Sequence, residues 1–197
     1  MTIKLGLTGS IGMGKSTTAG FFRAFDVPVW DADAEVHSLY AKGGQAVSLL
    51  RQLAPEAVKN GAVDRGLLRL AIKQDKTLLQ QIESALKPLL ARSRADFLAA
   101  NRAAPVVVFD IPLLFETDTE SWLDYVLVVT APEAVQKQRV LSRNTMDESM
   151  LNTILARQMT DKEKRALADF VFDTSKGMEH TKAEVKALIE ALEQENA

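Results

Sequence analysis

Residues Gly9-Ser10-Ile11-Gly12-Met13-Gly14-Lys15-Ser16 fit the pattern G-x-x-x-x-G-K-[ST], whose chemistry is the binding of nucleotide phosphates. Glycines let successive backbone N–H groups turn towards one anion, and the start of the following helix adds positive potential. Lys15 can reach the β- and γ-phosphates of ATP, and the Ser16 hydroxyl can bind Mg²⁺. The pattern predicts a phosphate loop of nine residues: Gly9, Ser10, Ile11, Gly12, Met13, Gly14, Lys15, Ser16 and Thr17.

The elements on either side of this loop match what the motif requires. An apolar run at residues 3–7 predicts a strand leading in, and residues 16–25 are compatible with a helix leading out. The alternative is a glycine-rich turn that happens to be followed by lysine. The strand–loop–helix setting favours the nucleotide-binding interpretation.

Carboxylates follow two further predicted strands. Asp31 and Asp33 come after residues 27–30, and Asp110 comes after residues 106–109. Ligands of open α/β sheets bind beyond the carboxyl ends of the strands, on the side of the phosphate loop. Four apolar residues followed by Asp110 have the form of a Walker B strand, whose acid holds Mg²⁺. Asp31 or Asp33 could serve catalysis there, or could be a helix N-cap.

The order of the predicted elements indicates an α/β fold with a mostly parallel sheet. Residues 34–103 contain no good strand candidate, and their apolar residues recur at helical spacing, with Pro88 expected to kink or break one helix. One crossover helix would suffice between neighbouring strands. The surplus predicts a helical lobe that shapes a substrate pocket, or alternatively structural padding. The strand candidates are residues 3–7, 27–30, 106–109, 125–129 and 170–172.

Residues 132–168 are predicted to be helical and cationic, with seven Lys and Arg against four Asp and Glu in residues 136–165. Arg139 and Arg143 lie four residues apart, so they share one helix face. Taken alone, that spacing is typical of a solvated charged face. The C-terminal region predicts an amphipathic helix packed on the sheet through Val185, Leu188, Ile189 and Leu192.

Composition narrows the class of protein. The chain has 197 residues, of which 47% are hydrophobic and 25% charged, a globular balance. A net charge of -2 argues against nucleic acid as a partner, and the lack of cysteine excludes disulfides and thiol nucleophiles. The first residues reach glycine too soon for a signal peptide, and no apolar run approaches the roughly 20 residues of a membrane helix. These features predict a cytoplasmic protein.

Several segments together resemble the dephospho-coenzyme A kinase family over nearly the whole chain. The phosphate loop is shared with many ATPases, whereas Asp31-Ala32-Asp33 and the segment from Asp110 to Glu116 are typical of this family in particular. The other similar segments are residues 124–129, Gln136 with Arg139 and Arg143, residues 157–158 and residues 168–171.

The resemblance implies the fold of nucleoside monophosphate kinases: a P-loop three-layer α/β fold with a parallel five-stranded sheet, a helical acceptor-binding lobe and a helical lid. The implied parts of the single kinase domain are a core of residues 1–33, 104–131 and 169–197, a lobe of residues 34–103 and a lid of residues 132–168.

The resemblance also implies an activity and residue roles. ATP would phosphorylate the ribose 3′-hydroxyl of dephospho-coenzyme A with Mg²⁺ as cofactor, the last step of coenzyme A synthesis. Residues 9–17 would bind the ATP phosphates, with Lys15 also catalytic, and Asp33 would be the base, with Asp31 as the alternative. Asp110 would lie near the metal and acceptor, and Arg139 and Arg143 would be lid cations. The expected partner is this small molecule, with no nucleic acid and no membrane, and the protein would be a monomer or weak homo-oligomer.

Two other functions are compatible with the phosphate loop, and at two positions the sequence departs from the family pattern. The alternatives are another small-metabolite or nucleotide kinase of the P-loop class, and a nucleotide-dependent switch protein. A GTPase switch normally carries an N-K-x-D motif, and the sequence has none. The family usually has His-Pro where this chain has Lys87-Pro88, and often Asn near the end of the last strand, where this chain has Asp173-Thr174-Ser175.

Overall fold

The computed structural model describes residues 1–143 and 146–195, which divide into two compact units. The first unit consists of residues 1–30 and the described residues from 101 onwards, and the second consists of residues 31–100. The strands, numbered along the chain, are β1 (Ile3–Thr8), β2 (Val29–Asp31), β3 (Val58–Lys59), β4 (Ala62–Val63), β5 (Val106–Asp110), β6 (Tyr125–Thr130) and β7 (Phe170–Asp173). The α-helices are α1 (Lys15–Ala24), α2 (Ala32–Tyr40), α3 (Ala46–Leu53), α4 (Arg65–Gln74), α5 (Thr77–Ala100), α6 (Glu133–Leu141), α7 (Glu148–Leu155), α8 (Asp161–Ala166) and α9 (Met178–Glu195).

A five-stranded sheet in the order β2-β5-β1-β6-β7 forms the centre of the fold. Strand β1 pairs in parallel with both β5 and β6, and β6 pairs in parallel with β7. Each of these strands begins within two residues of its predicted position. The prediction of an α/β P-loop fold with a parallel five-stranded sheet is therefore confirmed.

Side chains alternate between the two faces of β1, as the period of a strand requires. Leu5 and Leu7 are fully buried in a core that also contains Phe22 of α1 and Val185 of α9. On the opposite face, Gly6 leaves room for Leu123, because an added Cβ would lie 2.5 Å from that side chain. This packing fixes the carboxyl end of β1, from which the phosphate loop emerges.

The second unit has its own apolar core, built by α2 to α5. It also contains the hairpin β3–β4, where we expected no strand, and the expectation was wrong at this point. The two-residue turn is Asn60-Gly61, with φ of 51° and 77°. Asn-Gly with two positive φ angles is the preferred turn of a tight hairpin. The strands are only two residues long, too short to show an alternating pattern.

Helix α5 runs without a break from Thr77 to Ala100 and contains Pro88. Of the predicted kink or break at this proline, the break is therefore wrong. A proline inside a helix costs about 3 kcal/mol. Burial of Ile82 and Leu86 before it, and partial burial of Leu89 and Leu90 after it, offsets that cost, since burying such a side chain stabilises by about 1.5–3 kcal/mol.

Residues 132–168 contain the helices α6, α7 and α8. Residues 144 and 145 of the predicted lid, and residues 196 and 197 of the predicted core, lie outside the described part of the chain. The assignment of residues 132–168 as a lid and of residues 34–103 as an acceptor lobe stays a prediction. Among the described residues, no helix combines the length and the apolar character needed to cross a membrane.

Candidate active site

The phosphate loop joins the buried end of β1 to the first turn of α1. Gly12 and Gly14 have φ of 80° and 89°, a left-handed conformation that side chains other than glycine rarely adopt. A Cβ on Gly12 would lie 2.6 Å from Val140, and one on Gly9 would lie 2.6 Å from Val129. The loop is thus both strongly curved and tightly packed, as an anion-binding nest of backbone N–H groups requires.

Lys15 and Asp110 form a direct ion pair, with 2.5 Å between Nζ and Oδ1. Asp110 is the last residue of β5 and lies opposite Leu7 of β1 in the parallel register. Sheet pairing therefore brings the carboxylate to the base of the phosphate loop, as the strand-end prediction implied. Only 3% of the Asp110 side chain is exposed, so its charge is compensated locally by the lysine.

The remaining predicted loop residues differ in exposure. Ser16 and Thr17 are exposed at the start of α1, whereas Ser10 is buried. Met13 is buried beside β6, and its sulfur accepts a hydrogen bond from the Ala131 N–H at 3.1 Å. The Ser16 hydroxyl is therefore accessible at the helix start where the motif requires it.

Three side chains distant in sequence hold the phosphate loop from outside, and we did not predict their roles. Gln136 donates from Nε2 to the Ile11 carbonyl at 2.7 Å, and Gln158 accepts from the Ile11 N–H at 3.2 Å. The Thr174 hydroxyl donates to the Met13 carbonyl at 2.9 Å. Gln136 and Gln158 lie in segments that resemble the family, which was the available signal. Their spacing along the chain carries no information about these contacts.

Arg139 is half-buried beside this loop. Its guanidinium donates to the Thr174 hydroxyl and to the Thr174 carbonyl, both at 2.8 Å, and approaches the Gly12 carbonyl at 3.5 Å. The solvated-face alternative therefore does not describe Arg139. Arg143 is exposed. The roles of both arginines as lid cations that bind the nucleotide stay predictions.

Asp31 and Asp33 belong to the second unit, at the start of α2. Asp31 is the N-cap of that helix, where its Oδ1 accepts a hydrogen bond from the Ala34 N–H at 3.0 Å. Asp33 lies in the first turn and is exposed. The N-cap alternative thus holds for Asp31, while the assignment of Asp33 as the base stays a prediction.

The loop that follows Asp110 is fastened by a buried ion pair. Lys164 is fully buried, and its Nζ lies 2.8 Å from Oε1 of Glu116 and 3.4 Å from the Pro112 carbonyl. The Thr8 hydroxyl donates to the same carbonyl at 3.2 Å. Two independent donors therefore hold the backbone just beyond Asp110.

The donors near the loop suit Mg²⁺ in their chemistry. The Asp110 carboxylate and the Ser16 hydroxyl are hard oxygen ligands of the kind that Mg²⁺ prefers. In the described part of the chain, no group of three or more His, Cys, Asp or Glu residues is placed to hold a metal ion. Mg²⁺ usually takes one or two carboxylates from a protein and its other ligands from substrate phosphates and water.

Comparisons with known proteins show the family to which the chain belongs. A family model described as dephospho-CoA kinase matches residues 3–180. A dephospho-CoA kinase of Jannaschia sp. is 51% identical over 192 residues, covering 98% of each chain. One of Cereibacter sphaeroides is 54% identical over 186 residues, covering 94% of this chain and 93% of the relative. The crystal structure of TT1252 from Thermus thermophilus has a TM-score of 0.85 at 33% identity, covering 97% of this chain and 98% of that one. The chain therefore belongs to the dephospho-CoA kinase family.

Proposed function

We propose that this protein transfers the γ-phosphoryl group of ATP to the ribose 3′-hydroxyl of dephospho-coenzyme A, which yields coenzyme A and ADP in the last step of coenzyme A biosynthesis. The observation that carries the proposal is the complete phosphate loop with Lys15 paired to Asp110, in a chain of this family. Relatives about half identical over nearly the full length are named for this reaction.

Positioning and charge neutralisation account for most of the catalysis. Phosphoryl transfer passes through a loose transition state whose charge is spread over the equatorial oxygens of the phosphoryl group. The Lys15 ammonium and the N–H groups of the phosphate loop stabilise that charge. Because Lys15 is held by Asp110, it is oriented before ATP binds, and less conformational entropy is lost on binding.

Mg²⁺ is part of the proposal. The Ser16 hydroxyl and the Asp110 carboxylate would hold it. When bound, the ion neutralises negative charge on the β- and γ-phosphates.

Asp33 is proposed to accept the proton of the attacking hydroxyl. It is an exposed carboxylate in the first turn of α2, and Asp31 beside it is occupied as the N-cap. Residues 34–103 would receive the acceptor, and residues 132–168, with Arg143, would close over the nucleotide. We further propose that the protein acts in the cytoplasm as a monomer or weak homo-oligomer, without nucleic acid or membrane.

The test is an ADP-release assay with ATP, Mg²⁺ and a panel of acceptors: dephospho-coenzyme A, AMP, CMP, shikimate and gluconate. We expect the highest kcat/KM with dephospho-coenzyme A and little ADP without any acceptor. A higher kcat/KM with another acceptor would contradict the proposed substrate but keep the kinase class. ADP release that needs no acceptor would favour a nucleotide-dependent switch.

A matched pair of lysine variants tests the role of the phosphate loop. Lys15→Ala should nearly abolish transfer; because it also removes the counter-charge of the buried Asp110 carboxylate, its thermal melting is measured alongside to show that the variant is folded. Lys182→Ala removes an exposed lysine from α9 and should leave kcat/KM unchanged. Wild-type turnover in Lys15→Ala would refute the assigned site.

A further inference from the structure

Two carbonyl groups of the phosphate loop are turned outwards onto neutral side chains. The Ile11 carbonyl accepts from Gln136 of α6 at 2.7 Å, and the Met13 carbonyl accepts from Thr174 at 2.9 Å. Both donors are buried, with 5% and 7% of the residue surface exposed. In a buried setting an unpaired carbonyl is costly, so these hydrogen bonds fix the orientation of both carbonyls.

A trans peptide transmits that orientation to the next N–H group. The described residues contain no cis peptide bond, and in a trans peptide the C=O and the following N–H point in opposite directions. With its carbonyl held by Gln136, the Ile11–Gly12 peptide directs the Gly12 N–H away from α6. With its carbonyl held by Thr174, the Met13–Gly14 peptide directs the Gly14 N–H away from that hydroxyl.

The same two side chains pack against these two glycines. A Cβ on Gly12 would lie 3.2 Å from Cγ of Gln136, and one on Gly14 would lie 3.0 Å from Oγ1 of Thr174. Neither contact leaves room for a side chain. Because Gly12 and Gly14 have no side chain, Gln136 and Thr174 can come close enough to donate hydrogen bonds to the neighbouring carbonyls.

Thr174 is itself held in place by further contacts. Its hydroxyl accepts a hydrogen bond from Arg139 at 2.8 Å. Two carbonyls can accept the hydroxyl proton: that of Met13 at 2.9 Å and that of Thr130 at 3.2 Å. Because Arg139 also donates to the Thr174 carbonyl, the rotation of this side chain is restricted. The shorter distance favours the Met13 carbonyl over the Thr130 carbonyl as the acceptor of the hydroxyl proton.

We propose that Gln136 and Thr174 are positioning residues that orient the Gly12 and Gly14 N–H groups towards the phosphate chain of the bound nucleotide. The inference rests on the proposed function, because it requires that the loop bind ATP and ADP. Two neutral side chains that would not touch the substrate thus hold the phosphate-binding N–H groups in place before the nucleotide binds.

The experiment measures the Kd of ADP by calorimetry, together with KM for ATP and kcat. Thr174→Val and Gln136→Met each remove one donor at nearly constant volume. Loss of one such hydrogen bond should raise the Kd of ADP and the KM for ATP about three- to tenfold, with a smaller change in kcat. Thr174→Ser keeps the hydroxyl and should stay within about twofold of wild type.

Two controls separate positioning from general stability. Thr181 is a buried threonine of α9 whose hydroxyl donates to the Gly177 carbonyl, so Thr181→Val removes a buried threonine hydrogen bond whose acceptor is not in the phosphate loop. Gln138 is exposed on α6, so Gln138→Met controls for the change in side chain. Both should bind ADP like wild type, even if Thr181→Val melts at a lower temperature.

The outcomes are distinct. The inference is overturned if folded Thr174→Val and Gln136→Met bind ADP within about twofold of wild type, a change too small for a lost hydrogen bond. It is also overturned if Thr181→Val weakens ADP as much as Thr174→Val. If wild-type protein itself does not bind ADP, the proposed function fails instead.

Discussion

The buried ion pair between Lys164 and Glu116 should be a main determinant of stability near the site. Replacing Lys164 with Met keeps most of the apolar stem and removes the ammonium. The wild-type Nζ lies 2.8 Å and 3.1 Å from the two carboxylate oxygens and is fully shielded from solvent. The variant leaves Glu116, with 14% of its side chain exposed, without its counter-charge.

The expected loss of stability depends on the interactions that the Glu116 carboxylate keeps in the variant. Removing one partner of a buried ion pair typically destabilises a protein by 3–5 kcal/mol, mostly through the uncompensated charge. Glu116 still accepts a hydrogen bond from the Met159 N–H at 2.8 Å and has some contact with solvent. We therefore expect the lower end of the range, about 3 kcal/mol. In a chain of this size that lowers Tm by about 6–12 °C.

Chemical denaturation and calorimetry of single and double variants provide the test. Lys162→Met, an exposed position of the same helix, is the matched control and should change the free energy of unfolding by less than about 0.5 kcal/mol. Adding Glu116→Gln to Lys164→Met should cost less than the sum of the single changes, since the uncompensated charge is gone. A loss below about 1 kcal/mol in Lys164→Met would refute the reasoning, because a pair that weak behaves like a surface salt bridge.

Two further predictions concern the carboxylates of Asp33 and Asp173. Asp33→Asn should lower kcat by about 10²-fold without weakening ATP binding, whereas Asp31→Asn should change little, since Asn also serves as an N-cap. Steady-state kinetics of both variants provide the test. A large loss of kcat in Asp31→Asn with little change in Asp33→Asn would show that the base is misassigned. For Asp173, hydrogen bonds from the Ser175 side chain and then its backbone lower the carboxyl pKa. The stability from this lowered pKa is present above the unfolded pKa near 3.9 and is lost as the pH falls through the folded value. The stability gap between wild type and Asp173→Asn should therefore be constant at neutral pH and close in acid. Urea unfolding between pH 3 and 7 measures it, and a gap that widens in acid would contradict the assignment.

The parts of the fold that the sequence predicts are those with local signals. The phosphate loop is contiguous, and Asp110 directly follows an apolar strand, so both could be placed by pattern alone. Gln136 and Thr174 could not, because their partners lie 125 and 161 residues away along the chain. Such contacts depend on the order of strands in the sheet, which no local spacing encodes.

The two wrong expectations have physical causes. The break at Pro88 was inferred from local propensity, and burial of the flanking apolar residues of α5 outweighs that propensity. The hairpin around Asn60-Gly61 has a recognisable turn signal, but its strands are too short for alternation to appear. The roles of residues 34–103 and 132–168 in binding the acceptor and closing the site stay predictions.

Helix α9 extends well beyond residue 180, where the match to the family model ends. Four apolar side chains from this last part are buried in the core of the first unit: Val185, Leu188, Ile189 and Leu192. Each stabilises the fold by about 1.5–3 kcal/mol, together about 6–12 kcal/mol. Conformational entropy lost on ordering the helix offsets part of that sum, but without these side chains the apolar core that they cover would be exposed. A protein truncated at residue 180 would therefore be expected to aggregate on expression, and fusion partners or affinity tags belong after α9 rather than at the family boundary.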